Sequence, residues 1–592
     1  MTPPFARYLS FVLLALAMML PYAVTNHTYP IPTFYSEFTA LSLYLLVGAA
    51  LAWLAQSTRP RLTFETPAVA IVPLLFGLIL IVQTFVLHVE QPSMNWLGAG
   101  FLLAAFMATC TGYGFARMNL AEEALQWVAW ALLIGGVFAV FCQMVQLLHA
   151  ETRFAPFVVA YNVAVDRRPF GNMAQANHLA TVIAFALAAA MYLVQTRRLN
   201  VFVWVVVSSI YVLGQALTVS RGPWLQTGVV VVAGFWMAAA IARRGEGARH
   251  GVRQWMMPLA LIAIFIGVNV AVRWANVRFQ LNLDVSAAHR FQDKSQFVLR
   301  LAMWKYGWTM FKEHPWIGVG WGEFPRYQFE LVKQLGDVEI ANNSHDILID
   351  LLAKTGILGL GVLLIGLLAW LVRVLRAPHT AGRIFGLALI GVLLMHALVE
   401  YPQQYMFFLL PAMFIFGVLE TNRLRFVPPR LSLGMHTVIV VVGLLALPLI
   451  YRDYARSEVL YYGSHPAEQY GSAPSFLFGS WGEYGMATLL PIDRKELPMK
   501  LAMHRKALAL LPGETVLRRY AVLQALDGRQ ADALDTVERL KIFAGVLRDW
   551  PAQLAALYDL CEDEPELASF KAALAERYGD APAEKDDEDE GD

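Results

Sequence analysis

The stretch VFVWVVVSSIYVLGQALTVSRGPWLQTGVVVVAGFWMAAAIARR, residues 201–244, decides the fold. It holds two apolar runs, 201–219 and 224–242, each close to the roughly 20 residues that cross a bilayer core of about 30 Å. Only Ser220-Arg221-Gly222-Pro223 stands between them, and Arg243 and Arg244 follow the second. Backbone in hydrocarbon must satisfy its own hydrogen bonds, so each run is read as a membrane helix. The pattern repeats along the chain. Spans are expected near 8–25, 38–55, 68–88, 97–115, 125–148, 173–194, 201–219, 224–242, 256–273, 347–371, 384–399, 403–420 and 435–451. The expected class is an all-α polytopic membrane protein of about thirteen helices.

Composition points the same way. Hydrophobic residues make up 57% of the 592 and charged ones 15%, too few charges to solvate globular surfaces. Mean hydropathy is +0.50. A net charge of +1 gives no support to a nucleic-acid partner. The three cysteines, Cys110, Cys142 and Cys561, cannot make a disulfide framework, and no Cys/His spacing fits zinc. No metal or other cofactor is expected. Arg7 and the apolar stretch to Met19 also fit a cleaved signal peptide, but further spans follow at once, so an uncleaved first span is expected.

Arginine sets the orientation. Alternate loops carry Arg59 and Arg61, Arg117, Arg197 and Arg198, Arg243 to Arg253, Arg373 to Arg383, and Arg423 to Arg430. The opposite short loops hold only Arg153, Arg167, Arg168 and Arg221. The first set is read as cytoplasmic, in a bacterial inner membrane. Residues 1–451 then form a membrane domain whose long loop, 274–346, is periplasmic. Residues 452–580 form a periplasmic domain with apolar residues at helical spacing over 500–511, 514–526 and 531–544. The turn at Gly528-Arg529-Gln530 resembles a tetratricopeptide unit, and a plain helical bundle fits equally well. Residues 581–592 are an acidic tail, expected to be disordered.

Few spans carry a strong charge near their centre and no two-half repeat stands out, which lowers a transporter or flippase reading. Polar residues gather at the far-side ends of spans. Arg221 occupies a very short loop there, where it could snorkel to headgroups or offer its planar fork to a lipid-borne phosphate. Arg300 opens an aromatic-rich amphipathic segment, Arg300–Phe311, which would lie at headgroup depth. His345, after Asn342-Asn343-Ser344, stands at the mouth of the tenth span, where a structural histidine would also be at home.

These residues carry a resemblance. From Ser220 to Gly417 the chain resembles the O-antigen ligase and polymerase superfamily of bacterial membrane glycosyltransferases. The matching features are Ser220-Arg221-Gly222, Arg300 before Trp304, the turn from His314-Pro315 to Gly320, and His345 before Thr355-Gly356. Within it the chain is most similar to the protein O-oligosaccharyltransferases, or pilin glycosylation ligases. His27-Thr28-Tyr29-Pro30 through Glu37, Arg168-Pro169-Phe170-Gly171-Asn172 through His178, and Glu400-Tyr401-Pro402 with Tyr405 point there.

The resemblance implies a GT-C-like membrane fold and transfer of a preassembled glycan from undecaprenyl diphosphate, with inversion, to a serine or threonine hydroxyl. The acceptor would be a type IV pilin or another periplasmic protein. It implies Arg221, Arg300 and His345 as catalytic, and Glu37, His27, Asn172, Gln175, Asn177, His178, Glu400 and Tyr405 as substrate-binding. Asp346 departs from the family's usual asparagine, and a carboxylate there would raise the imidazole pKa. The chemistry is consistent. Arginines neutralise a departing diphosphate, and losing one such stabiliser typically costs about 3–4 kcal/mol. A histidine, at about 6.5 unperturbed, suits a general base worth about 10²–10⁴ in rate. An O-antigen ligase acting on lipid A-core and an O-antigen polymerase are the alternatives within the enzyme class.

Overall fold

A computed structural model describes residues 3–57, 64–160, 168–243, 248–280, 295–463, 475–547, 549–562 and 564–580. Arg59, Arg61, Arg167, Arg244, part of the long loop (281–294) and the acidic tail lie outside the described residues. The described chain is helical, its one extended pairing a single bridge between Pro67 and Arg423. Among the described residues, ten helices are long and apolar enough to cross a membrane, and three shorter apolar ones are Val201–Leu217, Ala381–Ala397 and Met406–Leu419. Together they coincide one for one with the expected spans. The protein is an all-helical, polytopic membrane protein.

The chain divides into two compact units. The first comprises Met1–Gly77, Gly100–Lys294 and Gly361–Leu449. At its heart lies Ala176–Gln195, buried on nearly every side. Its run of Ala184, Ala186, Ala188, Ala189 and Ala190 lets neighbours approach closely, which is how membrane helices gain packing without a hydrophobic driving force. Ala121–Leu147, Val201–Leu217, Gly222–Ala242 and Ala381–Ala397 pack around it. One end of this unit collects ion pairs. Glu420 takes a two-pronged contact from Arg373 (2.9 and 2.6 Å), Glu65 meets Arg117 (2.8 Å) and Arg423, and Arg7 meets Glu123. Arg117, Arg373 and Arg423 all belong to the set read as cytoplasmic. The candidate site residues of this unit sit at the opposite ends of the same helices.

The second unit comprises Leu78–Ala99, Ser295–Leu360 and Ile450–Asp592. The tail segments read as helical are the helices Leu497–Leu510, Glu514–Leu526 and Gln530–Leu547, with Gly528 turning the chain at φ +80°. Their apolar faces share one core with Ser295–Glu313 and Phe324–Leu335: Tyr306, Met310, Phe324 and Val332 join Leu508, Leu517, Val522 and Leu540. At the rim Lys333 reaches Asp535 (2.7 Å) and Glu538 (2.9 Å). The tenth span corrects an expectation. Ile347–Arg376 is two helical pieces meeting at Gly356, whose φ of 62° and ψ of −165° are non-helical.

Candidate functional site

In the second unit the break at Gly356 exists because another piece of backbone runs against it. Val319 and Gly320 donate to the carbonyls of Ala353 and Lys354 (2.9 and 3.2 Å), and Ile357 and Leu358 donate back to Pro315 and Trp316 (2.9 and 3.2 Å). This works only without side chains at the crossing. A Cβ on Gly318 would lie 2.3 Å from Lys354 C, and one on Gly356 2.4 Å from Trp316 C. Gln83, fully buried on Ala68–Val86, seals the seam. Its amide donates to the carbonyls of Ile317 (2.6 Å) and Lys354 (2.8 Å) and accepts from Trp321 N–H (3.2 Å).

That seam anchors the segment that presents His345. The residue sits in the left-handed region at φ +55°, which histidine tolerates better than most but which carries strain. The conformation is held from both sides. Asn343 Oδ1 accepts from His345 N–H (3.1 Å), and Asp350 Oδ1 accepts from Ser344 N–H (3.1 Å). Asp346 is turned away: its Oδ1 accepts from the N–H groups of Leu348 and Ile349 (both 3.0 Å), capping the helix that follows. The expected rise in imidazole pKa is therefore reversed. Burial, then the guanidinium of Arg300, then the ammonium of Lys354 push His345 down to about 4. The imidazole is neutral at physiological pH, half-buried, and flanked by cations from two different elements.

The first unit gathers a second polar cluster. Asn177 Nδ2 donates to Glu400 Oε1 (2.9 Å). Glu37 accepts from Thr33 Oγ1 (2.6 Å) and from the backbone N–H of Met406. Tyr405 stands just before the helix Met406–Leu419, its ring stacked on Tyr401 (5.8 Å). His178 packs edge-on against Tyr405 (4.7 Å) and Phe408 (5.4 Å). Below them Thr181 Oγ1 lies 2.8 Å from His396 Nδ1 and accepts from Gln226 Nε2 (2.8 Å). Gln226 is one turn beyond Arg221, which precedes Gly222–Ala242 after Val219, a β-branched residue at φ +50°.

Three segments match family models. Residues 204–364, spanning Arg221, Arg300 and His345, match O-Antigen ligase. Residues 169–194, spanning Asn172 to His178, match Protein glycosylation ligase. Residues 384–555 match Virulence factor membrane-bound polymerase, C-terminal. The General O-oligosaccharyltransferase of Acinetobacter baylyi (strain ATCC 33305 / BD413 / ADP1) is 23% identical over 453 residues, 76% of either chain.

The chain is similar to the O-oligosaccharyltransferases, and its residues 204–364 to the O-antigen ligases.

These likenesses support glycosyltransferase activity for this membrane protein. The ComP-specific O-oligosaccharyltransferase of the same strain is 23% identical over 330 residues, 55% of this chain and 56% of its own length. Among the family residues, the structure brings together Glu37, Asn177, His178, Glu400 and Tyr405 in one unit and Arg300 with His345 in the other. Asn172 and His27 are engaged by loop backbone. Asn172 Nδ2 donates to Phe157 O (2.8 Å) and Ala23 O (3.2 Å), and the His27 ring nitrogens face Pro32 O (2.8 Å) and Asn172 O (2.9 Å). Gln175 is the residue before Ala176–Gln195 and makes no side-chain cap. Sequence reading missed Gln83, Asp350, Lys354, Thr181, Gln226 and His396. Each is a polar residue inside an apolar run, and that signal alone marks intramembrane polar groups as functional candidates.

Proposed function

We propose that the protein transfers a preassembled oligosaccharide from undecaprenyl diphosphate to serine or threonine hydroxyls of a periplasmic protein, a type IV pilin being the first acceptor to test. One observation carries the reading: a neutral, half-buried imidazole, His345, lies within the electrostatic reach of Arg300. A base within the electrostatic reach of a leaving-group stabiliser suits a single displacement at an anomeric carbon. The acceptor oxygen attacks that carbon, its proton passes to His345, and the carbon–oxygen bond to the diphosphate breaks on the opposite face. The configuration inverts, and the charge left on the diphosphate falls to Arg300. Bidentate guanidinium contact suits phosphate oxygens. Arg221 keeps the phosphate role that the family resemblance implies. The Glu37, Asn177, Glu400 and Tyr405 cluster supplies acceptors and donors for substrate hydroxyls. On this reading the reaction takes place on the periplasmic face of the inner membrane.

Co-expression with a lipid-linked glycan pathway and a pilin tests this by intact-protein mass. The wild-type protein is expected to add one glycan mass to the pilin. Arg300→Ala and His345→Ala, at near-normal membrane levels, are expected to leave it unmodified. An unmodified pilin with a modified lipid A-core would move the acceptor to lipopolysaccharide.

A further inference from the structure

Asp350 and Lys354 stand four residues apart on the short helical piece before Gly356, both side chains 4% exposed, and meet at 3.0 Å. A buried ion pair is poor value for stability alone, because desolvating two charges cancels most of their attraction and apolar residues often do as well. The contacts on either side show another use. Asp350 Oδ1 takes the N–H of Ser344, the residue that precedes the left-handed His345. The Lys354 ammonium lies over Trp321 (5.4 Å) and Phe324 (5.8 Å), and its own carbonyl is held by Gly320 N–H and Gln83. The pair therefore joins the Gly318–Gly320 seam to the backbone that presents the imidazole.

We infer that the Asp350–Lys354 pair is a positioning device for His345, the carboxylate setting the loop and the ammonium fixing the carboxylate while placing positive charge toward the imidazole. This rests on His345 being the base of the transfer. Among the described residues, the charged groups near that histidine include Arg300 from Ser295–Glu313, and Asp346, Asp350 and Lys354 from its own segment. Asp346 is committed to capping. Of these, Arg300 and Lys354 hold the imidazole in its neutral form, after burial.

The test uses the full-length protein in membranes. Either single charge removal leaves an uncompensated buried ion that threatens folding, so the decisive variant is the double substitution Asp350→Asn with Lys354→Met. Two readouts are taken: transfer to the pilin, and the pH midpoint of His345 acylation by diethyl pyrocarbonate, followed by peptide mass. The expected result is near-normal membrane levels, transfer slowed about 10²-fold by a misplaced base, and a His345 midpoint moved upward. Wild-type transfer in the double variant, or slow transfer with an unmoved midpoint, overturns the assignment. The acylation readout needs no glycosyl transfer. A wild-type protein that modifies no acceptor therefore sinks the transferase reading and leaves the positioning question decided by the midpoint.

Discussion

His345 shows how much a few neighbours change one residue. With an ordinary imidazole, half the bases would be protonated near pH 6.5. Burial and the charges of Arg300 and Lys354 bring the value to about 4 instead. As the proposed base, His345 works in its neutral form, which predominates above its pKa, so activity is expected to fall only as pH drops through that value. The expected kcat/KM for transfer is level from pH 8 to 5 and drops near 4. A bound diphosphate brings negative charge to Arg300 and weakens its effect on the imidazole, so the kcat limb should lie above the kcat/KM limb. Single-turnover transfer in proteoliposomes across pH 3.5–8 measures both. A kcat/KM limb at 6.5 would mean that neither burial nor the two cations govern this histidine. The residue itself was legible in the sequence, at the end of a polar run before an apolar span. Its basicity was not, because Asp346, next in sequence, turns to cap a helix, whereas Arg300 and Lys354 come from 45 and 9 positions away.

Among the elements, the break in Ile347–Arg376 matters most. Hydropathy gives no sign of it, since a glycine in an apolar run can continue a helix at a cost of about 1 kcal/mol. The cause lies elsewhere in the chain: the 315–320 backbone comes so close that only hydrogen fits on either glycine. Gly356 also occupies a region of φ and ψ essentially reserved for glycine, and strain there costs a side chain of order 1–3 kcal/mol. Gly356→Ala adds that strain to a backbone collision. The expected outcome is a lower melting temperature in detergent, read by tryptophan fluorescence, together with loss of transfer. An unchanged melting temperature would mean that the seam is looser than these distances. The turn from His314 to Gly322 was recognisable as a motif, but its partner and Gln83, the residue that seals it, were visible only once the helices were packed.

For the whole molecule, the testable statement is sidedness. In the first unit the arginine-rich end pairs its cations with Glu65, Glu123 and Glu420, while the Asn177–Glu400 cluster lies at the other ends of the same helices. With that arginine-rich end in the cytoplasm, residue Asp580 belongs to the periplasm. Alkaline phosphatase fused there should be active, and green fluorescent protein exported there should be dark. The reverse pattern would place the tail in the cytoplasm and remove His345 from the periplasmic face. The sequence by itself determined the class of this protein, because hydrophobicity and arginine asymmetry are read over about 20 consecutive residues and need no partner. It also supplied the family residues, which stand in short contiguous motifs. Only the tertiary structure decided which of them meet and what charge state they keep. Asn177 and Glu400 are 223 positions apart, and Gln83 and Lys354 are 271. Such pairs arise when helices from distant parts of the chain satisfy buried polar groups on one another, a choice that local pattern does not encode.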